Sequence, residues 1–180
     1  MRVITGTARG RRLKTPDNYD IRPTTDNVKE SLFNILQFDI EGRRVLDLFA
    51  GTGQLGIECL SRGAANVTFV DKDRNAVKIV RENLKSCGLN ATVLQEDALR
   101  ILERGQKYDL IFVDPPYDSD LYEAVLDRIN LVDILSEGGI IVCEARRERG
   151  LPEMTAPYRK CKEYCYGKVK LCLYKKEPTE

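Results

Sequence analysis

The fold of this chain is decided by the stretch Tyr108-Asp109-Leu110-Ile111-Phe112-Val113-Asp114-Pro115-Pro116-Tyr117. Its first five residues, Tyr108–Phe112, form a short, mostly apolar run rich in β-formers, which predicts a buried strand. The two prolines then end the strand, because proline donates no ladder hydrogen bond and disfavours helix in the residue before it. We therefore expect a rigid loop that presents Asp114 and Tyr117 to a planar group bearing an amine. A proline-rich turn with a solvated Asp114 is the alternative for this stretch alone.

Strand and helix patterns alternate on both sides of this stretch. The predicted strands are residues 45–49, 66–70, 92–95, 109–113 and 139–143. The predicted helices are residues 26–37, 54–62, 74–86 and 121–129, with a short helix after residue 97. Repeated strand–helix units indicate an α/β fold with a mostly parallel sheet and helices on both faces. The chain ends differently, since residues 161–166 and 168–174 flank Gly167 and predict an antiparallel hairpin.

Composition describes a soluble globular protein, with 42% hydrophobic and 32% charged residues among 180. This length predicts a single domain, with a basic arm and loop at residues 1–24 and a core at residues 25–180. No run of about 18 apolar residues predicts a membrane span, and the N-terminus lacks a signal-peptide core. Six cysteines without a secretion signal indicate reduced thiols in the cytosol.

The chain contains no histidine, which excludes a histidine general base and every Ser-His or Cys-His nucleophile. The spacing of Cys161, Cys165 and Cys172 lacks a C-x-x-C pair, so we expect no metal site. These cysteines are instead interpreted as small apolar residues of strands. Catalysis must therefore depend on carboxylates, backbone groups, tyrosine, lysine or a cofactor.

Four acidic residues follow successive predicted strands: Asp47, Asp71, Asp97 and Asp114. Ligands of parallel sheets bind outside the carboxyl ends of the strands, near the point where strand order reverses. Since packing does not explain acids at four strand ends, we expect these carboxylates to surround one ligand.

The stretch Gly51-Thr-Gly-Gln-Leu-Gly56 matches the G-x-G-x-x-G pattern between a strand and a helix. Asp71 follows at the distance that suits ribose hydroxyls, which is typical of a nicotinamide dinucleotide site. However, Asp47 lies four residues before the first glycine, where it would repel a pyrophosphate and favour a cationic amino-acid group. S-adenosylmethionine carries a sulfonium and an ammonium and no phosphate. With this cofactor, Asp71 would bind the ribose, and Asp97 with the amide of Ala98 would bind the adenine edge.

These segments resemble the S-adenosylmethionine-dependent methyltransferases that act on exocyclic amino groups. More narrowly, the chain is similar over nearly its whole length to the bacterial family that methylates guanine N2 in 16S ribosomal RNA. The matching segments are Arg2-Val-Ile-Thr-Gly6, Arg22-Pro-Thr-Thr-Asp26, Leu32-Phe-Asn-Ile-Leu36, Asp47-Leu-Phe-Ala-Gly-Thr-Gly53, Leu60-Ser-Arg-Gly-Ala64, Glu96-Asp97 and Phe112–Tyr117. The chain departs from the family pattern at Thr5 and Gln54, outside the expected chemistry.

The resemblance implies a Rossmann-like class I methyltransferase with a seven-stranded sheet, a C-terminal antiparallel hairpin and a small N-terminal β-arm. The implied catalytic residues are Asp114, Pro115, Pro116 and Tyr117. The implied S-adenosylmethionine-binding residues are Arg22, Thr24, Asp47, Phe49, Ala50, Gly51, Gly53, Asp71, Lys72, Asp97, Ala98 and Asp114. The implied partner is 16S ribosomal RNA or the assembling small subunit. We expect a cytoplasmic protein that acts as a monomer, since nothing in the sequence indicates an obligate dimer. For Arg22, a surface arginine in a helix-entry loop is the alternative.

Charge is unevenly distributed although the net charge is only +1. Residues 1–14 and 157–176 are both strongly basic, which suits a phosphate-facing rim, although solvated lysines and arginines would show the same pattern. The candidate RNA-binding residues are Arg2, Arg9, Arg11, Arg12, Lys14, Arg146 and Arg147, together with Arg149.

Three other functions are compatible with parts of this pattern. An amino-methyltransferase acting on DNA or protein would usually carry Asn at position 114 and often a further recognition domain. A nicotinamide-dependent oxidoreductase is supported by the glycine spacing and opposed by Asp47 and the two prolines. An RNA-binding module with a decayed cofactor site is opposed by the intact acids at the strand ends.

Overall fold

A computed structural model of the chain describes residues 1–16, 26–116 and 119–177. The helices are α1 (Asp26–Ile35), α2 (Gln54–Ser61), α3 (Arg74–Cys87), α4 (Ala98–Leu102) and α5 (Leu121–Val132). The strands are β1 (Arg44–Asp47), β2 (Asn66–Asp71), β3 (Thr92–Gln95), β4 (Tyr108–Val113), β5 (Leu135–Arg146), β6 (Tyr158–Tyr166) and β7 (Val169–Lys176).

The seven strands form one sheet in the order β3-β2-β1-β4-β5-β7-β6. The first five are parallel, whereas β7 is antiparallel to both β5 and β6. This confirms the mostly parallel α/β sheet and the C-terminal hairpin. The chain runs outward from β1 to β3 and then returns to β4 beside β1. The carboxyl ends of β1 and β4 therefore mark the switch point at which such sheets bind ligands.

Strand β5 is much longer than the predicted residues 139–143. It continues through polar residues because it is paired at both ends, with Leu135 beside Tyr108 and Arg146 opposite Val169. Strand β6 is the edge of the sheet. Cys165 on it and Cys172 on β7 lie in strands as predicted. Cys172 is buried, whereas Cys165 is exposed.

Two apolar layers cover the sheet. One face packs against α1, α2, α3 and the N-terminal residues, and the other packs against α4 and α5. On the first face, the rings of Phe33 and Phe112 lie 6.4 Å apart. A Cβ atom at Gly56 would lie 2.3 Å from the ring of Phe69, so glycine at this position allows α2 to pack directly on β2.

Residues 1–14 form the predicted β-arm, which we call the N-terminal hairpin. Arg2 and Arg12 make an antiparallel bridge, and the amide of Val3 donates to the carbonyl of Arg11 at 2.9 Å. Val3, Ala8 and Leu13 of the hairpin are buried in the same apolar cluster as residues of α1, α2 and α3. Its arginines are exposed. Because successive side chains of a strand point to opposite faces, the hairpin has an apolar face toward the core and a basic face toward solvent.

The hairpin is bound through a buried carboxylate on α2. Glu58 accepts hydrogen bonds from the amides of Ile4 and Thr5 at 2.8 and 2.9 Å. The ammonium of Lys29 on α1 lies 3.2 Å from Glu58 and also donates to the carbonyl of Arg2 at 2.9 Å. The buried carboxylate of Glu58 and the buried ammonium of Lys29 thus both have hydrogen-bond partners, as polar groups inside a core require.

A second contact joins two segments that the sequence resemblance singled out. Ser61 accepts a hydrogen bond from the amide of Ala8 at 2.9 Å and donates to the carbonyl of Thr5 at 2.5 Å. A Cβ atom at Gly6 would lie 1.7 Å from the carbonyl oxygen of Ser61, so glycine is required there. The segments Arg2–Gly6 and Leu60–Ala64 therefore bind each other.

Candidate active site

Asp47 is buried at the carboxyl end of β1, 3% exposed. Its Oδ2 atom accepts a hydrogen bond from the amide of Gly56 at 3.0 Å. Burial raises the pKa of Asp47 to about 7, the Gly56 hydrogen bond opposes this shift, and the charge of Asp71 adds to it. The ionised form is therefore costly without a cationic neighbour.

The glycine loop between β1 and α2 is held by Asp71 at the end of β2. Its carboxylate accepts hydrogen bonds from the amides of Gly51 and Asp73, both at 2.9 Å. Burial raises the pKa of Asp71, and the two hydrogen bonds lower it. Gly51 and Gly53 both have left-handed backbones. A Cβ atom at Gly51 would meet open space, so the loop has room for a ligand against its backbone.

Asp114 directly follows β4 on the same face of the sheet as Asp47, since Asp47 is in register with Phe112 and strand side chains alternate. Asp114 is partly buried. Burial, followed by the charges of Glu144 and Asp47, raises its pKa well above the ordinary range. The charges of Asp47 and Glu144 therefore act on Asp114 from the strands on either side of it, β1 and β5.

Glu144 on β5 was missed by the sequence reasoning. It is 3% exposed, and it lies in β5 between the buried residues Cys143 and Ala145. The signal that could have identified it is a charged residue inside an apolar strand. Charged side chains are rarely fully buried unless they are paired, and those that are buried cluster at functional sites.

The predicted adenine-binding residues lie at the end of β3. Asp97 is exposed and caps α4, accepting hydrogen bonds from the amides of Leu99 and Arg100 at 2.9 and 3.3 Å. Ala98, the first residue of α4, is buried. An open cavity of about 540 Å³ lies here, and its lining residues are Lys72, Leu94, Gln95, Glu96, Asp97, Arg100 and Arg104. The structure thus brings Lys72, which directly follows Asp71, and Asp97 to one depression.

The remaining predicted cofactor-binding residues lie in and around the glycine loop. Phe49 is partly buried and Ala50 is buried, and the amide of Gly53 donates to the carbonyl of Ala50 at 2.7 Å. The Oε1 atom of Gln54, directly after this loop, is buried and has no hydrogen-bond partner within the described residues. An ammonium group bound beside the loop is one donor that would satisfy it.

Part of the predicted site lies outside the described residues, namely Arg22, Thr24 and Tyr117. Pro115 is buried and Pro116 is exposed. The carbonyl of Pro116 accepts a hydrogen bond from the amide of Ser119 at 2.9 Å.

A further residue missed by the sequence reasoning is Asn83 on α3, 1% exposed. Its Oδ1 atom accepts from the amide of Lys14 at 2.7 Å, and its Nδ2 atom donates to the carbonyl of Lys14 at 3.1 Å. The same Nδ2 atom donates to the carbonyl of Thr52 at 2.9 Å. Asn83 therefore ties the end of the N-terminal hairpin to the glycine loop.

The candidate RNA-binding residues fall into two groups. Arg2, Arg9, Arg11 and Arg12 are exposed on the hairpin, and Lys14 pairs with Glu82 at 2.7 Å. Arg146 and Arg147 are exposed at the end of β5. Arg149 pairs with Asp120 at 3.3 Å, and its guanidinium lies 4.9 Å from the ring centre of Tyr122. Its charge therefore already interacts with two groups of the protein. These facts locate the basic groups without assigning them a ligand.

Two classes of site find no support in the part of the chain that the structure describes. It contains no group of three or more acidic or cysteine side chains arranged to hold a metal ion. None of its helices combines the length and apolarity that a bilayer crossing requires.

Comparison with known proteins places this geometry in a class. The sheet order and the antiparallel last strands are those of class I methyltransferases. The chain belongs to the family described as "Conserved hypothetical protein 95", whose profile matches residues 1–175.

Individual relatives agree with this assignment. The chain is 43% identical to the Bacillus subtilis protein named "Putative rRNA methyltransferase YlbH", over 98% of this chain and 99% of the relative. It is 37% identical to the "Ribosomal RNA small subunit methyltransferase D" of Escherichia coli, over 98% of this chain and 90% of the relative. Among solved structures, the "Putative methyltransferase yhhF" of Escherichia coli superposes with a TM-score of 0.88 at 37% identity, covering 98% of both chains.

Proposed function

We propose that this chain, acting as one methyltransferase domain, methylates the exocyclic N2 amine of a guanine in small-subunit ribosomal RNA, with S-adenosylmethionine as methyl donor. The observation that carries the proposal is the set of buried and partly buried carboxylates at the switch point of the sheet. Asp47, Asp71 and Asp114 all have raised pKa values, chiefly because of burial. A cationic ligand offsets this unfavourable burial, whereas a pyrophosphate would increase it.

The residues present fit S-adenosylmethionine. Asp47, together with the carbonyl groups of the glycine loop, would hold its cationic amino-acid portion. Asp71 would accept its ribose hydroxyls, because each carboxylate oxygen that binds a loop amide retains a lone pair. Asp97 and the amide of Ala98 would bind the adenine at the cavity that Lys72 lines. When bound, this cofactor supplies a methyl group on an electron-poor sulfur.

Asp114 and the carbonyl of Pro115 would bind the guanine amine. Guanine N2 is a weak nucleophile because its lone pair is delocalised into the ring. Two hydrogen-bond acceptors at the amine would pull the nitrogen toward tetrahedral geometry and orient its lone pair. The carboxylate of Asp114 would stabilise the positive charge that develops on nitrogen. Its raised pKa would also make Asp114 a better proton acceptor than an exposed aspartate.

Tyr117 would stack on the base, and Arg22 and Thr24 would close over the cofactor. A base must leave its stack to enter such a pocket, which favours a loop or single strand of RNA. The exposed arginines of the N-terminal hairpin, with Arg146 and Arg147, would contact phosphates around that base. The chain would act as a monomer in the cytoplasm, on 16S RNA or on the assembling small subunit.

The direct test is methylation of small-subunit ribosomal RNA from a strain that lacks the gene, with modified nucleotides mapped by mass spectrometry. We expect one N2-methylguanine to appear with the wild type. Asp114→Ala should abolish transfer while S-adenosylhomocysteine binding, measured by isothermal titration, stays within a few-fold. Asp127→Ala, an exposed carboxylate on α5, is the matched control.

Two outcomes would contradict the proposal. Retained turnover in Asp114→Ala would remove the assigned role of that carboxylate. Thermal stabilisation by NAD rather than by S-adenosylhomocysteine would favour an oxidoreductase.

A further inference from the structure

Glu144 lies beside Asp114 on the neighbouring strand. Val113 and Cys143 are partners in the parallel ladder of β4 and β5, so the residues that follow them, Asp114 and Glu144, lie side by side on the same face. Neighbouring strands are about 4.8 Å apart, which keeps the two carboxylates within reach of one small ligand. The negative charge of Glu144 accordingly contributes to the raised pKa of Asp114.

The position of Glu144 is rigidly determined. It pairs with Leu171 of β7 within an antiparallel register of seven residue pairs, with two further pairs beyond it. The hydroxyl of Tyr122 donates to its backbone carbonyl at 2.6 Å. With 3% of its surface exposed, the carboxylate is fixed at the carboxyl edge of the sheet. Glu144 makes a further interaction within the protein, and a carboxylate accepts up to about four hydrogen bonds in all.

Two carboxylates side by side, one buried and one partly buried, repel each other, and a row of hydrogen-bond donors placed between them reduces that cost. The Watson–Crick edge of guanine is such a row, because N1 carries one hydrogen and N2 carries two. Adenine and cytosine instead present a ring-nitrogen acceptor beside their amine, which a carboxylate would repel.

We propose that Glu144 selects guanine by accepting the hydrogen bond of N1–H on the base whose N2 amine is held by Asp114. The inference rests on the proposed function and adds to it the group that distinguishes guanine from other amino-bearing bases. Glu144 is a specificity-determining residue here, and the chemistry at N2 remains with Asp114 and Pro115.

The test compares guanine with 2-aminopurine at the methylated position of a synthetic RNA, after that position has been mapped. The two bases carry the same amine at C2, but N1 of 2-aminopurine is an acceptor. The wild type should prefer guanine by about 100-fold or more in kcat/KM, since a site built for a hydrogen bond strongly rejects an analogue that lacks the donor. In Glu144→Gln the side-chain amide can donate to N1 of 2-aminopurine, so this preference should fall at least about tenfold.

The matched control is Glu137→Gln, an exposed glutamate at the opposite end of the same strand. It should keep the wild-type preference. Binding of S-adenosylhomocysteine by Glu144→Gln, unchanged within a few-fold, establishes that the variant is folded. If Glu144→Gln methylates neither RNA, the preference can be measured by binding instead. The guanine RNA and the 2-aminopurine RNA then compete for the protein loaded with S-adenosylhomocysteine.

The outcomes separate the two hypotheses. A preference that is the same in Glu144→Gln and in the wild type, by turnover or by binding, overturns the role of Glu144 and leaves the proposed function intact. A wild type that methylates no guanine overturns the proposed function and this inference together. A reduced preference with unchanged cofactor binding supports the inference.

Discussion

The ammonium of Lys29 lies 3.2 Å from the carboxylate of Glu58, and neither side chain is exposed to solvent. This ion pair joins α1 to α2 beneath the N-terminal hairpin. Arg62 donates to the second oxygen of Glu58 at 2.9 Å, and its guanidinium lies 4.7 Å from the ring centre of Phe33. Burial lowers the pKa of Lys29, and the charge of Glu58 opposes that shift. The N-terminal hairpin is thus bound by Glu58, whose buried negative charge is balanced by Lys29 and Arg62.

Removing Glu58 should therefore destabilise the protein strongly. In Glu58→Gln the ammonium of Lys29 loses its counter-charge inside the core, and such unpaired buried charges cost about 3 to 5 kcal/mol. Urea unfolding followed by circular dichroism measures the change. Glu82→Gln is the control, because Glu82 makes a solvent-exposed pair with Lys14 and its loss should have little effect. A loss below about 1 kcal/mol for Glu58→Gln would show that the pair contributes little.

Asn83 should be needed to hold the hairpin against the glycine loop. Asn83→Ala leaves the amide of Lys14 and the carbonyls of Lys14 and Thr52 without this partner, at about 1 to 3 kcal/mol for a buried unsatisfied group. We expect faster amide hydrogen exchange at Lys14 and at the glycine loop together, and weaker S-adenosylhomocysteine binding. Ser86→Ala on the same helix is the control, since the Ser86 hydroxyl donates to the carbonyl of Asn83 at 2.9 Å and lies 4.0 Å from the sulfur of Cys87, both within α3. Exchange that rises at only one of the two segments would contradict the coupling.

The sequence predicted the elements with strong local signals. Strand β3 was predicted at residues 92–95 and α3 began at Arg74 as predicted, because alternating or helical periodicity and flanking turn residues are local properties. The acids at the strand ends were identified for the same reason. Glu58 gave no comparable signal, because its burial depends on a hairpin that lies more than 50 positions away. Glu144 and Asn83 likewise acquire their roles only through tertiary contacts.

Asp47 should make the stability of the ligand-free protein depend on pH. Its folded pKa of about 7 lies above the ordinary value of 3.8, so between these values the folded state binds more protons than the unfolded state. The stabilisation is complete below about pH 4 and is lost as pH rises through 7. Asp47→Asn mimics the protonated form and keeps an acceptor for the amide of Gly56.

The variant should therefore unfold at higher urea concentration than the wild type at about pH 8, with an advantage that shrinks toward about pH 4. The scale is about 1.4 kcal/mol for each unit of pKa shift. Asp71 and Asp114 also have raised pKa values, so the stability of the Asp47→Asn variant should still depend on pH. An Asp47→Asn protein that is less stable than the wild type at about pH 8 would contradict the burial argument.

RNA affinity should fall steeply with salt if the hairpin contacts phosphates. Each neutralised phosphate contributes about 0.7 to 0.9 to the slope of log affinity against log salt concentration. The double variant Arg11→Gln and Arg12→Gln, on the exposed face of the hairpin, should lower that slope by up to about 2. The control pair is Lys107→Gln with Arg128→Gln, because Lys107 and Arg128 are already paired with Asp133 and Glu103. Filter binding of small-subunit RNA over a range of salt concentrations measures both, and an equal slope in the two double variants would exclude the hairpin from the RNA interface.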